Sequence, residues 1–260
     1  MTDDTVQLRY ADGEAVVTLN RPDVHNAFDD ALIARLGDVL DQLSTRNDVR
    51  VVVLAGAGKS FSAGADLGWM RRMAGYTEAE NRADAMRLAH LMHRLDTMPM
   101  PTVARVHGAA IGGGVGLVAC CDIALASTAA AFALSEVRLG LIPAVISPYV
   151  IGAIGPRAAR RYMLTAERFD AAEARRIGLV HQVAEPDHLD VLVKMVVDAL
   201  KLGGPKALAE TKRLALDVGG APSEEIRADT AARIARLRAS PEGREGVTAF
   251  LEKRKPGWQA

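Results

Sequence analysis

Only two cysteines occur in this 260-residue chain, Cys120 and Cys121, and they are adjacent. That placement disfavours a simple bridge between them and fits neither a disulfide framework nor a metal-ligand spacing, which suits a reducing cytoplasm. Net charge is missing as well. Lys plus Arg and Asp plus Glu number 32 each, so the average charge gives no field to steer nucleic acid or an anionic membrane. The first residues are acidic and polar with no basic flank before an apolar stretch, so no secretory signal is expected. The longest apolar run, Gly108 to Cys121, is broken by glycines at 112, 113, 114 and 116 and is too short to span a bilayer. It reads as buried core. His90 and His93 share a helix face but have no third ligand at a telling spacing, so no metal site is expected. Internal repeats and low-complexity stretches are absent.

What is present is a chain 49% hydrophobic and 25% charged, enough for one compact domain with a helical tail. Ala15 to Leu19, Val49 to Leu54, Thr102 to Val106 and Ile123 to Ala126 read as buried, valine-rich strands. Between the first two, Leu32, Ile33, Leu36, Leu40 and Leu43 recur at helical spacing, with Asp29 or Asp30 as the cap. Interleaved strands and helices argue for an α/β class, although their order alone leaves a doubly wound sheet and a spiral both open. From about Leu189 the strand signals fade. Leu189 to Leu202, Pro205 to Val218 and Ser223 to Arg238 read as amphipathic helices separated by Gly203-Gly204 and Gly219-Gly220.

Two stretches carry the chemistry. Phe61-Ser62-Ala63-Gly64-Ala65-Asp66-Leu67 and His107-Gly108-Ala109-Ala110-Ile111-Gly112-Gly113-Gly114 each follow a strand-like run and open onto a helical pattern. Each could aim backbone N–H groups into one cleft, and two such donors converging on a carbonyl oxygen would make an oxyanion hole. Glycine clusters are also ordinary turns, so the second stretch alone decides nothing. A carboxylate flanked by apolar neighbours, Glu136, is the best acid/base candidate: turned inward it would lose water and its pKa would rise. Composition alone reads it as a surface Glu or as the partner of Arg138.

The two motifs together resemble those of the enoyl-CoA hydratase/isomerase (crotonase) superfamily, and the resemblance runs from about Val6 to Pro256. It implies a ClpP/crotonase-like spiral of strand-strand-helix repeats over residues 1–195, with a C-terminal helical region for trimerisation and lid closure over 196–260. It places the oxyanion donors at the N–H groups of Ala65 and Gly113. The coenzyme A end of the substrate would then meet Ala63, Gly64, Ala65, Asp66, Leu67 and Gly68, and its phosphates would meet Lys59 and Lys253. Glu136 falls at one of the two catalytic glutamate positions. The implied partner is an acyl-CoA thioester, with no cofactor beyond the coenzyme A that the substrate carries, no nucleic acid and no membrane. The assembly is expected to be a cytoplasmic homotrimer or homohexamer.

The chain also departs from the pattern. Where many hydratases carry their other glutamate, three residues after Gly113, it has Gly116, which cannot orient or deprotonate water. Glu136 acting alone in hydration, a double-bond isomerase with one base, and a noncatalytic acyl-CoA-binding protein all remain open. Beyond Ile142-Pro143 the chain reads Ala144-Val145-Ile146-Ser147-Pro148-Tyr149 instead of a glycine-rich loop, which should stiffen the wall beside the acyl group. These segments look like a bacterial subgroup that hydrates 3-methylglutaconyl-CoA, isohexenylglutaconyl-CoA and related branched, carboxylated enoyl-CoAs in leucine or acyclic terpene breakdown. A distal carboxylate would need a cation, for which Arg71 and Arg72 are candidates.

Overall fold

The computed structural model describes residues 5–219 and 223–259. The expected separator at Gly219-Gly220 therefore lies partly outside the described residues. The element order is β1 (Val6–Ala11), β2 (Glu14–Leu19), α1 (Asp30–Ser44), β3 (Val51–Gly56), β4 (Ser60–Ser62), α2 (Leu67–Met73), α3 (Glu78–Asp96), β5 (Thr102–Val106), β6 (Ala109–Ile111), α4 (Gly113–Cys120), β7 (Ile123–Ser127), β8 (Ala131–Ala133), α5 (Ser147–Thr165), β9 (Phe169–Asp170), α6 (Ala171–Ile177), β10 (Gln182–Ala184), α7 (Leu189–Lys201), α8 (Pro205–Asp217), α9 (Glu224–Ala239) and α10 (Pro241–Leu251).

These strands form two sheets, a six-stranded one in the order β1-β2-β3-β5-β7-β10 and a four-stranded one in the order β4-β6-β8-β9. The chain lays one strand in each sheet in turn, β3 then β4, β5 then β6, β7 then β8, with a helix before the next pair. This is the strand-strand-helix spiral, and it decides between the two topologies that element order left open. The hairpin β1–β2 and the pair β8–β9 are antiparallel, and the other pairings are parallel.

β3 shows why the sheet reads as unbroken apolar sequence. Val52 and Leu54 enter the main core with Leu36, Leu40 and Leu95, while Val51 and Val53 enter a second cluster with Leu189, Val193 and Val197 of α7. Both faces of the sheet are covered, so no position on this strand can be polar. Each fully buried Val or Leu contributes about 1.5–3 kcal/mol. The cysteines belong to this interior: both thiols are free and buried, and burial pushes that of Cys121 up to about 12.

The expected division at 195/196 lies within α7, which is still docked on the sheet. Burial changes after it: no residue of α8 or α9 is buried, and α10 buries only Ala249. Polar contacts fasten this tail. The Arg50 guanidinium donates to the carbonyls of Lys201, Gly203 and Trp258. Lys212 of α8 reaches Asp122 at 2.8 Å, and the same carboxylate accepts from the Thr102 N–H and hydroxyl.

Candidate active site

The small sheet positions the site. β4, β6 and β8 run parallel, so their C-terminal ends lie along one edge, where open α/β sheets place their ligands. Each strand delivers one part: Ala63-Gly64-Ala65 after β4, Gly112-Gly113 after β6, and Leu134-Ser135-Glu136 after β8.

The first two parts are locked to each other through glycines. Gly64 has φ 88, and a Cβ there would stand 3.0 Å from the Ile111 carbonyl oxygen; a Cβ on Gly114 would stand 2.6 Å from that of Ser62. Gly112, at φ 51 and ψ −115, adopts a conformation that only glycine holds without strain, and its N–H donates to the Ala133 carbonyl at 2.9 Å. The chain is thereby turned into α4 with Gly113 as its first residue. A first residue has no acceptor one turn back, so the Gly113 N–H has no intrahelical partner, at the positive end of the helix.

Ala65 is held differently. The Phe28 N–H donates to Gly64 O at 2.6 Å and the Asp66 N–H donates to Phe28 O at 2.7 Å, an isolated parallel bridge. Extended backbone alternates its N–H groups, so this pairing turns the N–H of exposed Ala65 away from Phe28. Asp66 is committed internally: its carboxylate caps α2 by accepting from Gly68 N at 2.8 Å and Trp69 N at 3.1 Å, and Arg21 lies 3.3 Å away. Those bonds hold its pKa below the usual carboxylate range, the Trp69 N–H first among them.

Glu136 opens a short 3-10 helix, Glu136–Leu139. Its Oε1 sits where a Cβ on Gly112 would stand 2.9 Å away, and its Oε2 is buried with no hydrogen-bond partner. Desolvation pushes its pKa upward. The alternative of an ion pair with Arg138 is not what forms: Arg138 is exposed, and Glu136 appears in no salt bridge of the described residues.

The structure thus brings together Ala63, Gly64, Ala65, Gly113 and Glu136, with Asp66, Leu67 and Gly68 continuing into α2. Leu67 is exposed, as a residue facing a ligand cleft can be. Lys59 is exposed just before β4, and Lys253 is exposed just beyond α10 at φ 55. Arg71 is also exposed, and Arg72 pairs with Asp30 at 2.5 Å, so neither lines a buried pocket for a distal carboxylate. His25 holds the loop before Phe28 through Ser60 Oγ at 3.1 Å, a structural role.

One residue, and one contact of a residue already named in the acyl wall, escaped the sequence reading. The residue is Phe28, whose ring lies so close to Gly113 that a Cβ there would stand 2.8 Å from Cε2. The contact is that of Ile146 with Gly116, where a Cβ would stand 2.3 Å from Ile146 Cγ2 and 3.3 Å from Met92 Cε. The place of the missing second carboxylate is filled with packed hydrocarbon. Nothing in the sequence pairs Gly116 with Ile146. Pro148, expected in the stiffened loop, instead sits in the first turn of α5, where a missing N–H costs nothing. The loop therefore ends at Ile146.

The sequence and this fold are shared with proteins of known family. The Enoyl-CoA hydratase/isomerase family matches residues 10–260. The chain is 47% identical to an enoyl-CoA hydratase from Shewanella pealeana whose crystal structure superposes with a TM-score of 0.95, covering 98% of this chain and 96% of that one. It is 32% identical over 243 residues to a crotonyl-CoA hydratase of Syntrophomonas wolfei subsp. wolfei, 93% of this chain and 92% of the relative. It is also 32% identical over 261 residues to an (E)-benzylidenesuccinyl-CoA hydratase of Thauera aromatica, 98% of each. The chain belongs to the enoyl-CoA hydratase/isomerase family.

Proposed function

We propose that this protein is an enoyl-CoA hydratase, a hydro-lyase that adds water reversibly to an α,β-unsaturated acyl-CoA. The observation that carries the reading is the Glu136 carboxylate, unpartnered and desolvated, against the glycine turn that frees the Gly113 N–H. In the proposed step the thioester oxygen accepts from the Ala65 and Gly113 amides. Glu136 takes a proton from water, the water oxygen bonds to the β-carbon, and the double-bond electrons move toward the thioester to give an enolate. The proton on Glu136 then passes to the α-carbon, which restores the carboxylate. Each oxyanion donor is worth about 3 kcal/mol of barrier. No cofactor beyond the substrate's own coenzyme A is asked for, because amides and one carboxylate supply the charge stabilisation and proton transfer.

For the substrate we infer a branched or carboxylated acyl group of the 3-methylglutaconyl-CoA type, in leucine, terpene or fatty acid catabolism in the cytoplasm. The support is the likeness of the Ala144–Tyr149 segment to that subgroup, together with the branched side chain of Ile146, which fills the space beside Gly116 of α4. Identity does not choose among substrates: two relatives at the same 32% are named for different acyl groups. Lys59 and Lys253 are proposed to meet the coenzyme phosphates. The tail is proposed to build a homotrimer or homohexamer, supported by exposed Val247, Phe250 and Leu251 on α10; light scattering on the purified protein tests it.

A second reading is favoured by Ile146 filling the place beside Gly116: one base and no second carboxylate also suit a double-bond isomerase. One experiment separates them. The purified protein is given 3-methylglutaconyl-CoA and crotonyl-CoA, followed by ultraviolet absorbance and mass, with Glu136→Gln as control. Loss of the conjugated thioester band with one water added, abolished in the variant, supports hydration. Deuterium uptake from solvent with no water added supports isomerisation.

A further inference from the structure

The two oxyanion donors come from different loops, so something must set their separation and aim. We propose that Phe28 is the residue that does so, as a positioning residue for both donors. Its backbone holds the first loop by the two hydrogen bonds that bracket Ala65, at 2.6 and 2.7 Å. Its ring holds the second by lying flush against Gly113, which has no side chain to keep it off. Ser62 and Ile111 also join the loops, through Gly114 and Gly64, but at one to three residues from the donors, whereas Phe28 brackets Ala65 and touches Gly113 itself.

Phe28 is itself heavily constrained, as a gauge must be. His25 and Asn26 are both left-handed, at φ 54 each, and turn the chain so that residues 27 and 28 run beside 64 and 65. Asn26, fully buried, donates to the Ala57 and Ser60 carbonyls at 2.8 Å and accepts from Arg21 N at 2.8 Å. The Arg21 guanidinium donates to Ala27 O at 2.6 Å and pairs with Asp29 at 2.9 Å. Asp29 in turn caps α1 through Leu32 N at 2.8 Å. Phe28 is 1% exposed, so its ring has no room to drift. These bonds would be hard to account for as loop tethering alone, because they converge on a residue whose two faces touch the two donor loops.

The test is spectroscopic and does not depend on hydration. Acetoacetyl-CoA is a β-keto thioester whose enolate absorbs in the near ultraviolet, so the fraction enolised on the enzyme reads how well the two amides hold an oxyanion. Phe28→Ala keeps the backbone bridge and removes the ring. We expect it to lose the enolate band and to lower kcat about 100-fold with KM changed by less than about 3-fold, the signature of a misplaced transition-state contact. Phe28→Leu, which still covers Gly113, should recover most of both. Val197→Ala in the second cluster is the control: it should lower the melting temperature and leave the band intact. A Phe28→Ala protein that melts lower but keeps the band and kcat overturns the inference, as does a loss confined to KM. Should Phe28→Ala fail to fold, Phe28→Val, too short to cover Gly113, takes its place, loss of most of the band supporting the proposal and an undiminished band overturning it. The inference rests on the oxyanion reading of the site and not on hydration. A wild type that binds acetoacetyl-CoA without the band sinks both, whereas one that shows the band yet hydrates no enoyl-CoA sinks only the hydratase reading.

Discussion

The two halves of the site are built on opposite principles. On the amide side almost every group is spoken for: Gly64 O, Asp66 N and both sides of Phe28 are hydrogen-bonded, Gly112 N is paired with Ala133, and the Asp66 carboxylate is spent on a helix cap. On the carboxylate side Glu136 Oε2 is buried and bound to nothing. The contrast suits the roles proposed for the two halves. A pair of dipoles stabilises a developing charge only if it is fixed before the charge appears, so its surroundings must be saturated. A proton carrier must be able to exist in two charge states, so its surroundings must not favour the ionised one too strongly.

The largest effect should come from the carboxylate half. Glu136→Gln is expected to lower kcat about 1,000-fold, within the range for removing an acid/base group. The same variant should melt higher than wild type near neutral pH, because it removes a buried charge that nothing compensates. A variant that is both slower and less stable would contradict the contrast. Next comes Gly112→Ala, which strikes both halves at once: it strains a φ of 51 and pushes on Glu136 Oε1, and kcat should fall about 100-fold.

The pH profile sharpens the comparison. Glu136 is raised from the ordinary glutamate 4.5 by desolvation, so the acid limb of kcat/KM, where the base becomes protonated, should lie above the usual carboxylate range and fall tenfold per pH unit. The stability sign is the reverse of a paired carboxylate: a raised folded pKa gives stability that is fully present below the unfolded value and lost as pH rises through the folded one. The melting-temperature gap between Glu136→Gln and wild type should therefore open from acid toward neutral pH. A gap that is independent of pH would place the carboxylate in water.

Smaller effects test the surroundings. Gly116→Glu should fail to install a second acid/base group and should cost about 1–3 kcal/mol by overpacking Ile146 and Met92. Adding Ile146→Ala should recover part of that loss, as denaturant midpoints would show. Lys212→Ala, which unfastens α8 from Asp122, should cost about 1–2 kcal/mol, since Asp122 keeps its two bonds from Thr102. Catalysis by the remaining core should persist.

The strands β2, β3, β5 and β7 were legible in the sequence because each is five or six residues of apolar chain, and α1 because Asp29 caps a clear apolar stripe. The strands that carry the site were not. β4, β6 and β8 have three residues each, too few for a period of two to declare itself. Only the glycine motifs marked them, and the role proposed for Glu136 came from resemblance to a family rather than from its neighbours in sequence.

By itself the sequence determined which residues are available for the proposed chemistry: small residues where backbone could approach a ligand, one glutamate among apolar neighbours, and a glycine in place of a second. Those are properties of residue type, and they are fixed before folding. Tertiary structure decided what each is free to do. That Ala65 and Gly113 keep their N–H groups, that Glu136 loses its water without gaining a partner, and that Ile146 fills the space beside Gly116 are all contacts between residues far apart in the chain. Hydrogen-bond occupancy and desolvation depend on every atom that arrives nearby, and only the folded sheet edge brings those atoms together.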